Sequence, residues 1–241
     1  HGTRQVPGPP RPVRALIERT SNRSRADLLD ERTEVSAGRR RFLRGERYRP
    51  LPAALLAPAR QAFADYVARL PAADREPAEA FEVCDLAFRV AGTGSLGVLR
   101  IAVLTRGKAR HRGGWIFDLK EEFGRNGARR VLSAQEACLR HPPRMAGTTR
   151  LGSRSMLVRR LSPEEDKLDL AHADTADLDA LVAYLGALSG SAHRRGASGR
   201  AARPWSDGDR SRLLDAAVAL AGLHESCYLV FCKLTRSRDL T

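Results

Sequence analysis

Residues 89–105 read RVAGTGSLGVLRIAVLT, and they set Gly92, Gly94 and Gly97 between two β-rich runs. The order strand, G-x-G-x-x-G, strand constrains the fold more than any other feature of the chain. A dinucleotide-binding βαβ unit needs a helix directly after the third glycine, with its N-terminus on the pyrophosphate. VLRIAVLT follows instead, β-branched and short before a polar turn, with no acidic residue suited to a ribose about 20 positions on. A P-loop needs Lys-Ser or Lys-Thr after its last glycine, where Val98 and Leu99 stand here. The remaining phosphate-binding arrangement is a hairpin of the protein-kinase type. There, glycines let backbone approach phosphate oxygens that a Cβ would keep away, and a Lys on the next strand neutralises charge.

WIFDLK (115–120) reads as that next strand, with Trp115, Phe117 and Leu119 on one face and Ile116, Asp118 and Lys120 on the other. Only four of the 42 basic residues are Lys (Lys108, Lys120, Lys167 and Lys233), so a Lys at this point stands out. A compact ammonium suits a phosphate point contact. Glu136, in the helical stretch 128–140, is the natural carboxylate to hold Lys120. The bland alternative is a β-meander with a glycine-rich turn and a surface Lys. The pattern alone leaves both open.

Residues 58–70 predict a helix with Pro58 in its first turn and Phe63, Tyr66, Val67 and Leu70 along one side. Residues 1–12 predict a loose tail, 72–80 a linker, 83–91 and 155–161 strands, and 196–204 a break. Thr175 is the expected N-cap of a helix with the stripe Leu178, Leu181, Val182, Leu185 and Leu188. Ser206 and Asp209 form a capping-box pattern ahead of a long C-terminal helix. The expected divisions are 1–75, a basic tail and helical segment; 76–165, a sheet with the glycine loop; and 166–241, a helical part.

The 241 residues carry a net charge of +14, and the first 60 hold 14 Arg against six acids. That balance suits an anionic partner such as nucleic acid, or follows from Arg-rich codon usage. Aromatics are 5% and are not interleaved with the arginines, which disfavours a base-stacking surface. Cys84, Cys138, Cys227 and Cys232 form no C-x-x-C or zinc-finger spacing, and read as reduced, mostly buried thiols of a cytoplasmic protein. His224-Glu225 lacks the second His of a zincin. No apolar run approaches the ~20 residues of a membrane helix, so no membrane partner is expected. Asp166 and Asp169, in SPEEDKLD, read as a solvated acidic turn or a cation site.

FRVAGTGSLG (88–97), FDLKEE (117–122), RRVLSAQEACL (129–139), LVRRLSPEEDKLDL (157–170) and GALSGSAHRRG (186–196) together resemble a bacterial family, domain of unknown function 2252. DERTEVSAGRRRFLRGERYRPLP (30–52) fits as well. That family looks like a distant relative of protein kinases and aminoglycoside phosphotransferases. The resemblance implies an α+β, kinase-like fold in which Gly92, Thr93, Gly94, Ser95 and Gly97 form the phosphate loop. It gives Lys120 as the strand lysine and ATP with Mg²⁺ as the expected ligand. Gln135 matches a recurrent family Gln; Glu136 stands where the family often has a basic residue. Pro163, Asp166 and Lys167 match the segment after the last strand. The family's G-D-x-H-x-x-N loop and D-F-D segment find no match here, so the expectation is a C-terminal part that binds nucleotide without completing a phosphotransfer. A scaffold that keeps the fold, and a non-specific nucleic-acid binder using residues 1–60, are the competing expectations.

Overall fold

The computed structural model describes residues 6–92, 97–108, 114–197 and 205–238. The elements run α1 (Arg11–Ser21), α2 (Arg25–Arg32), β1 (Thr33–Ser36), β2 (Arg39–Phe42), β3 (Tyr48–Arg49), α3 (Ala53–Ala68), β4 (Val83–Arg89), β5 (Arg100–Thr105), β6 (Trp115–Glu121), α4 (Gly127–Cys138), β7 (Gly147–Leu151), β8 (Arg154–Arg160), α5 (Thr175–Gly196) and α6 (Asp207–Arg238). It is a mixed α+β fold with antiparallel sheets. The β1–β2 hairpin is a separate two-stranded sheet, packed on β4 of a six-stranded sheet of order β3-β4-β5-β6-β8-β7. After β6 the chain forms α4, returns as the outer strand β7, and turns back so that β8 lies beside β6.

The period-two pattern of β6 divides the core as expected. Trp115, Phe117 and Leu119 join Phe63 and Tyr66 of α3 in the main apolar cluster, together with Ile101, Val103, Met156 and Val158. On the opposite face, Ile116, Ala102, Leu104 and Ala87 meet Leu28 and Leu29 of α2, and Phe42 and Tyr48. Leu157 of β8, also on that face, packs with Ala128 and Leu132 of α4. Segment 1–75 therefore supplies both faces of the sheet with cover.

Helix α3 starts five residues earlier than its pattern suggests: Pro52 is its N-cap and Pro58 lies inside it. Pro58 is exposed, on the side away from the core. The 72–80 linker contains two short 3-10 turns, Ala72–Asp74 and Ala78–Phe81. Strand β7 and helix α2 lack a strong periodic signal, whereas α1 carries one in Val13, Leu16, Ile17 and Thr20 that the reading of the basic segment passed over. A capping box starts α2: Ser24 Oγ accepts from the Asp27 N–H at 3.2 Å, and the Ser24 N–H donates to the Asp27 carboxylate at 2.7 Å.

Met145 holds a left-handed backbone (φ 57°), a conformation that side chains with a Cβ avoid. Two bonds over-determine it. Its N–H donates to Asp74 at 2.9 Å, and the Tyr66 hydroxyl donates to its carbonyl at 2.6 Å. Burial pushes the Tyr66 phenol pKa up, so it remains a donor at any ordinary pH. Tyr66→Phe leaves the Met145 carbonyl without its donor, and a loss of about 1–3 kcal/mol is expected in urea unfolding; an unchanged midpoint would show that water replaces the hydroxyl.

Asp174, not Thr175, caps α5, accepting from the Asp177 N–H at 2.8 Å. Of the α5 stripe only Leu181 is buried; Leu178, Val182, Leu185 and Leu188 are exposed. Arg11 of α1 pairs with Asp177. The Ser206–Asp209 capping box forms as expected. Residues 198–204 of the expected break lie outside the described residues.

The chain divides into two compact units, His1–Ser198 and Gly199–Thr241. In the second unit, α6 exposes Leu213, Leu214, Val218, Leu223 and Tyr228. Its stretch Asp207–Leu234 is long and apolar enough to cross a membrane, by length and composition alone. The sequence expectation of no such segment is corrected on that count. Averaged hydropathy tolerates Asp215 and Glu225, which interrupt the apolar run. Cys84 and Cys227 are exposed, and Cys138 and Cys232 are half-buried, so none is the core thiol expected from the sequence.

Candidate functional site

The glycine loop leaves the end of β4 and returns as β5. Gly92 (φ 64°) and Gly97 (φ 79°) both sit in the left-handed region. Nothing lies within 4 Å of a Cβ built at either one, so backbone conformation, not crowding, demands glycine here. Thr93, Gly94 and Ser95 lie outside the described residues. The returning side of the loop is clipped to β6 twice: the Leu99 N–H donates to Glu121 Oε2 at 2.9 Å, and the Glu121 N–H to the Leu99 carbonyl at 2.9 Å.

Antiparallel register sets Lys120 opposite Arg100, the first residue of β5, at the foot of the loop. Lys120 is one-third exposed, and its Nζ lies 3.0 Å from Glu122 Oε1. Glu122, not Glu136, is therefore its carboxylate in this structure. The reason lies in the pitch of α4, whose inward stripe runs through Ala128, Val131, Leu132 and the half-buried Gln135. Glu136 falls beside that stripe and is exposed. The start of α4 is fixed close to Glu122. A Cβ on Gly127 would stand 2.6 Å from the Glu122 carbonyl oxygen, and the Ala128 N–H donates to Ser155 Oγ at 3.1 Å.

Next to Lys120 on the same face stands a group that sequence reasoning did not assemble. Asp118 is fully buried, in a strand that is otherwise apolar on both sides up to Leu119. Arg100 meets it in a fork, Nε at 3.0 Å from Oδ1 and Nη2 at 2.6 Å from Oδ2. Arg89 Nη1 lies 2.9 Å, and Arg159 Nε 3.6 Å, from the same Oδ2. Burial alone would push the Asp118 carboxyl pKa up; Arg100 and Arg89 more than reverse this and hold it below the usual carboxylate range. Arg100 also donates to the Ala91 carbonyl, next to Gly92. Arg159 reaches on to Glu165 at 3.2 Å. The available signal was a lone Asp at an inward position of WIFDLKE, together with Arg at β-strand positions of matching parity.

After β8, the acidic turn ties down α1. Asp166 receives Arg23 at 2.9 Å and Arg19 at 3.3 Å; the Lys167 N–H bond to its carboxylate, and after it these arginines, hold its pKa below the usual range. Asp169 accepts from the Ala171 N–H. Among the described residues, no group of three or more His, Cys, Asp or Glu could hold a metal ion. Several arginines of the basic N-terminal region are spent on ion pairs within the fold, Arg44 with Asp85 and Arg47 with Glu31 among them.

The fold and this face define an α+β protein with a glycine-bearing hairpin over a buried arginine–aspartate group. Residues 8–234 match the family described as "Uncharacterized protein conserved in bacteria (DUF2252)", and the chain belongs to that family. No curated protein and no solved structure matches the chain.

Proposed function

We infer that the β4–β5 hairpin and Lys120 form a nucleotide-phosphate site of a kinase-like, phosphotransferase-related protein. One observation carries this reading: Lys120 stands across from Arg100 at the foot of a loop whose described glycines, Gly92 and Gly97, are left-handed. The chain order supports it, since a loop-bearing hairpin, a lysine strand and then a helix is the order of parts over ATP in protein kinases. Cations at the loop's foot suit an anion. The described residues give magnesium no ligand set of their own, so the reading assigns this face the binding and orientation of phosphates.

ATP with Mg²⁺ is expected to raise the melting temperature of the wild type. At a ligand concentration of about 100 Kd the stabilisation is about 2.7 kcal/mol. Lys120→Ala is expected to lose most of that shift while melting normally without ligand, because Lys120 is partly exposed and the ion pair it gives up is the one with Glu122. An absent shift in the wild type, or an equal one in Lys120→Ala, would sink the assignment and favour a scaffold role.

A further inference from the structure

Arg32, in the last turn of α2, is an exception to the ion pairing of the basic N-terminal region. Its side chain is only 13% exposed, and its Nε is buried with no hydrogen-bond partner. Among the described residues, the carboxylate that comes within 4.0 Å is Glu31, and it stands at that limit. Glu31 is exposed and meets Arg47 at 2.8 Å. A guanidinium withdrawn from water without a close anion costs stability. Such an unsatisfied group calls for an explanation, and a bound ion is one of the few available.

Arg32 lines a cavity of about 250 Å³ between the end of α1, the body of α2 and Pro163 in the turn after β8. Arg19 and Arg23 line the same cavity. Both lean on Asp166 and neither is used up by it. Arg23 gives it Nη2, and Arg19 gives it Nε while Nη2 donates to the Lys167 carbonyl. Their side chains stay about 40% exposed. Of the acids in the wall, Asp27 holds the cap of α2 and Glu31 holds Arg47. Three guanidiniums therefore border one small space, and the most withdrawn of them has no close counter-charge.

The size and charge of that space select the ligand. Pockets for drug-sized molecules run from about 300 to 1,000 Å³, so this one suits a small anion and is too small for a nucleotide. Guanidinium forks match phosphate oxygens two at a time. A phosphate monoester carries a charge of about −1.5 to −2 at neutral pH and gains more from three cations than a single carboxylate does. We propose that the cavity at the α1–α2 corner binds the phosphate group of a small phosphate monoester through Arg32, with Arg19 and Arg23 closing on its other oxygens. None of these residues belongs to the Lys120 face, so the corner site stands or falls independently of the nucleotide reading.

The test is calorimetric titration of wild type, Arg32→Met and Lys120→Ala with inorganic phosphate, glycerol 3-phosphate and acetate at matched ionic strength. Wild type is expected to bind both phosphates at least about tenfold more tightly than acetate, and Arg32→Met to lose about tenfold or more, the worth of one charged hydrogen bond. Without ligand, Arg32→Met is expected to melt at or above the wild-type temperature, because it keeps the apolar stem and removes the withdrawn charge. No phosphate binding by the wild type, or equal binding by Arg32→Met, would overturn the corner site. Phosphate binding that Lys120→Ala removes and Arg32→Met keeps would belong to the Lys120 face and overturn it too. If Arg32→Met melts lower or does not fold, NMR of the wild type decides. The Arg32 Nε–H resonance must then shift to saturation on adding glycerol 3-phosphate, and an unmoved resonance overturns the proposal.

Discussion

Asp118→Asn is expected to be among the most damaging single changes in this chain, costing about 3–5 kcal/mol of unfolding free energy in a urea titration. The side chain keeps its shape and loses the charge that Arg100, Arg89 and Arg159 share. Two guanidiniums that are nine-tenths buried then have no anion. A companion variant separates this electrostatic cost from a packing defect. Adding Arg89→Met to Asp118→Asn removes one stranded charge, so the double variant is expected to recover part of the loss. If the double variant is as unstable as the sum of the two singles, the charge argument is wrong. The pH dependence has a definite sign. The Asp118 pKa is lower in the folded protein than in the unfolded chain, so its contribution is fully present above the unfolded value of about 3.9. It is lost as pH falls below that value, through the folded pKa. The wild type is therefore expected to lose stability below about pH 4 more steeply than Asp118→Asn, which has no proton to take up there.

Phe117→Ala is expected to cost about 3–5 kcal/mol, for a different reason. Phe117 is fully buried at the centre of the main cluster, with ring centroids of Phe63, Tyr66, Phe81 and Trp115 at 5.0, 5.9, 6.3 and 6.3 Å. Removing it opens a cavity between α3 and the sheet that rigid neighbours fill poorly. Phe117→Leu keeps most of the volume and is expected to recover much of the loss. A cost below about 1 kcal/mol for the Ala variant would mean that α3 settles onto the sheet, which a shifted near-UV signal from Trp115 would reveal. Neither Phe117 variant touches the face that carries Lys120, so the melting shift with ATP and Mg²⁺ is expected to stay at the wild-type level.

Strands β4, β5, β6 and β8 were legible because each alternates or runs apolar over six or seven residues, long enough for a period of two to show. The two faces of β6 followed from the same alternation. Strand β7 (GTTRL) was not legible: it is short and begins with a glycine that contributes no side-chain signal. Pro58 misled because proline marks first turns well, yet an exposed mid-helix position tolerates its ring when packing elsewhere holds the helix. The stripe of α5 predicted a buried face, but most of its leucines are exposed, and spacing carries no information about what a face meets.

At the candidate site the same limit applies more sharply. The residues 89 to 120 fixed by themselves that glycines stand between two strands, that Asp118 and Lys120 share a face, and that neither a dinucleotide fold nor a P-loop fits, because all of this is local spacing. Which carboxylate meets Lys120, and that Arg89, Arg100 and Arg159 close on one buried aspartate, depended on how strands register and where α4 lands. Those contacts join residues as far apart in the chain as Asp118 and Arg159. Only the pairing of β4 with β5, β5 with β6 and β6 with β8 brings them within hydrogen-bonding reach.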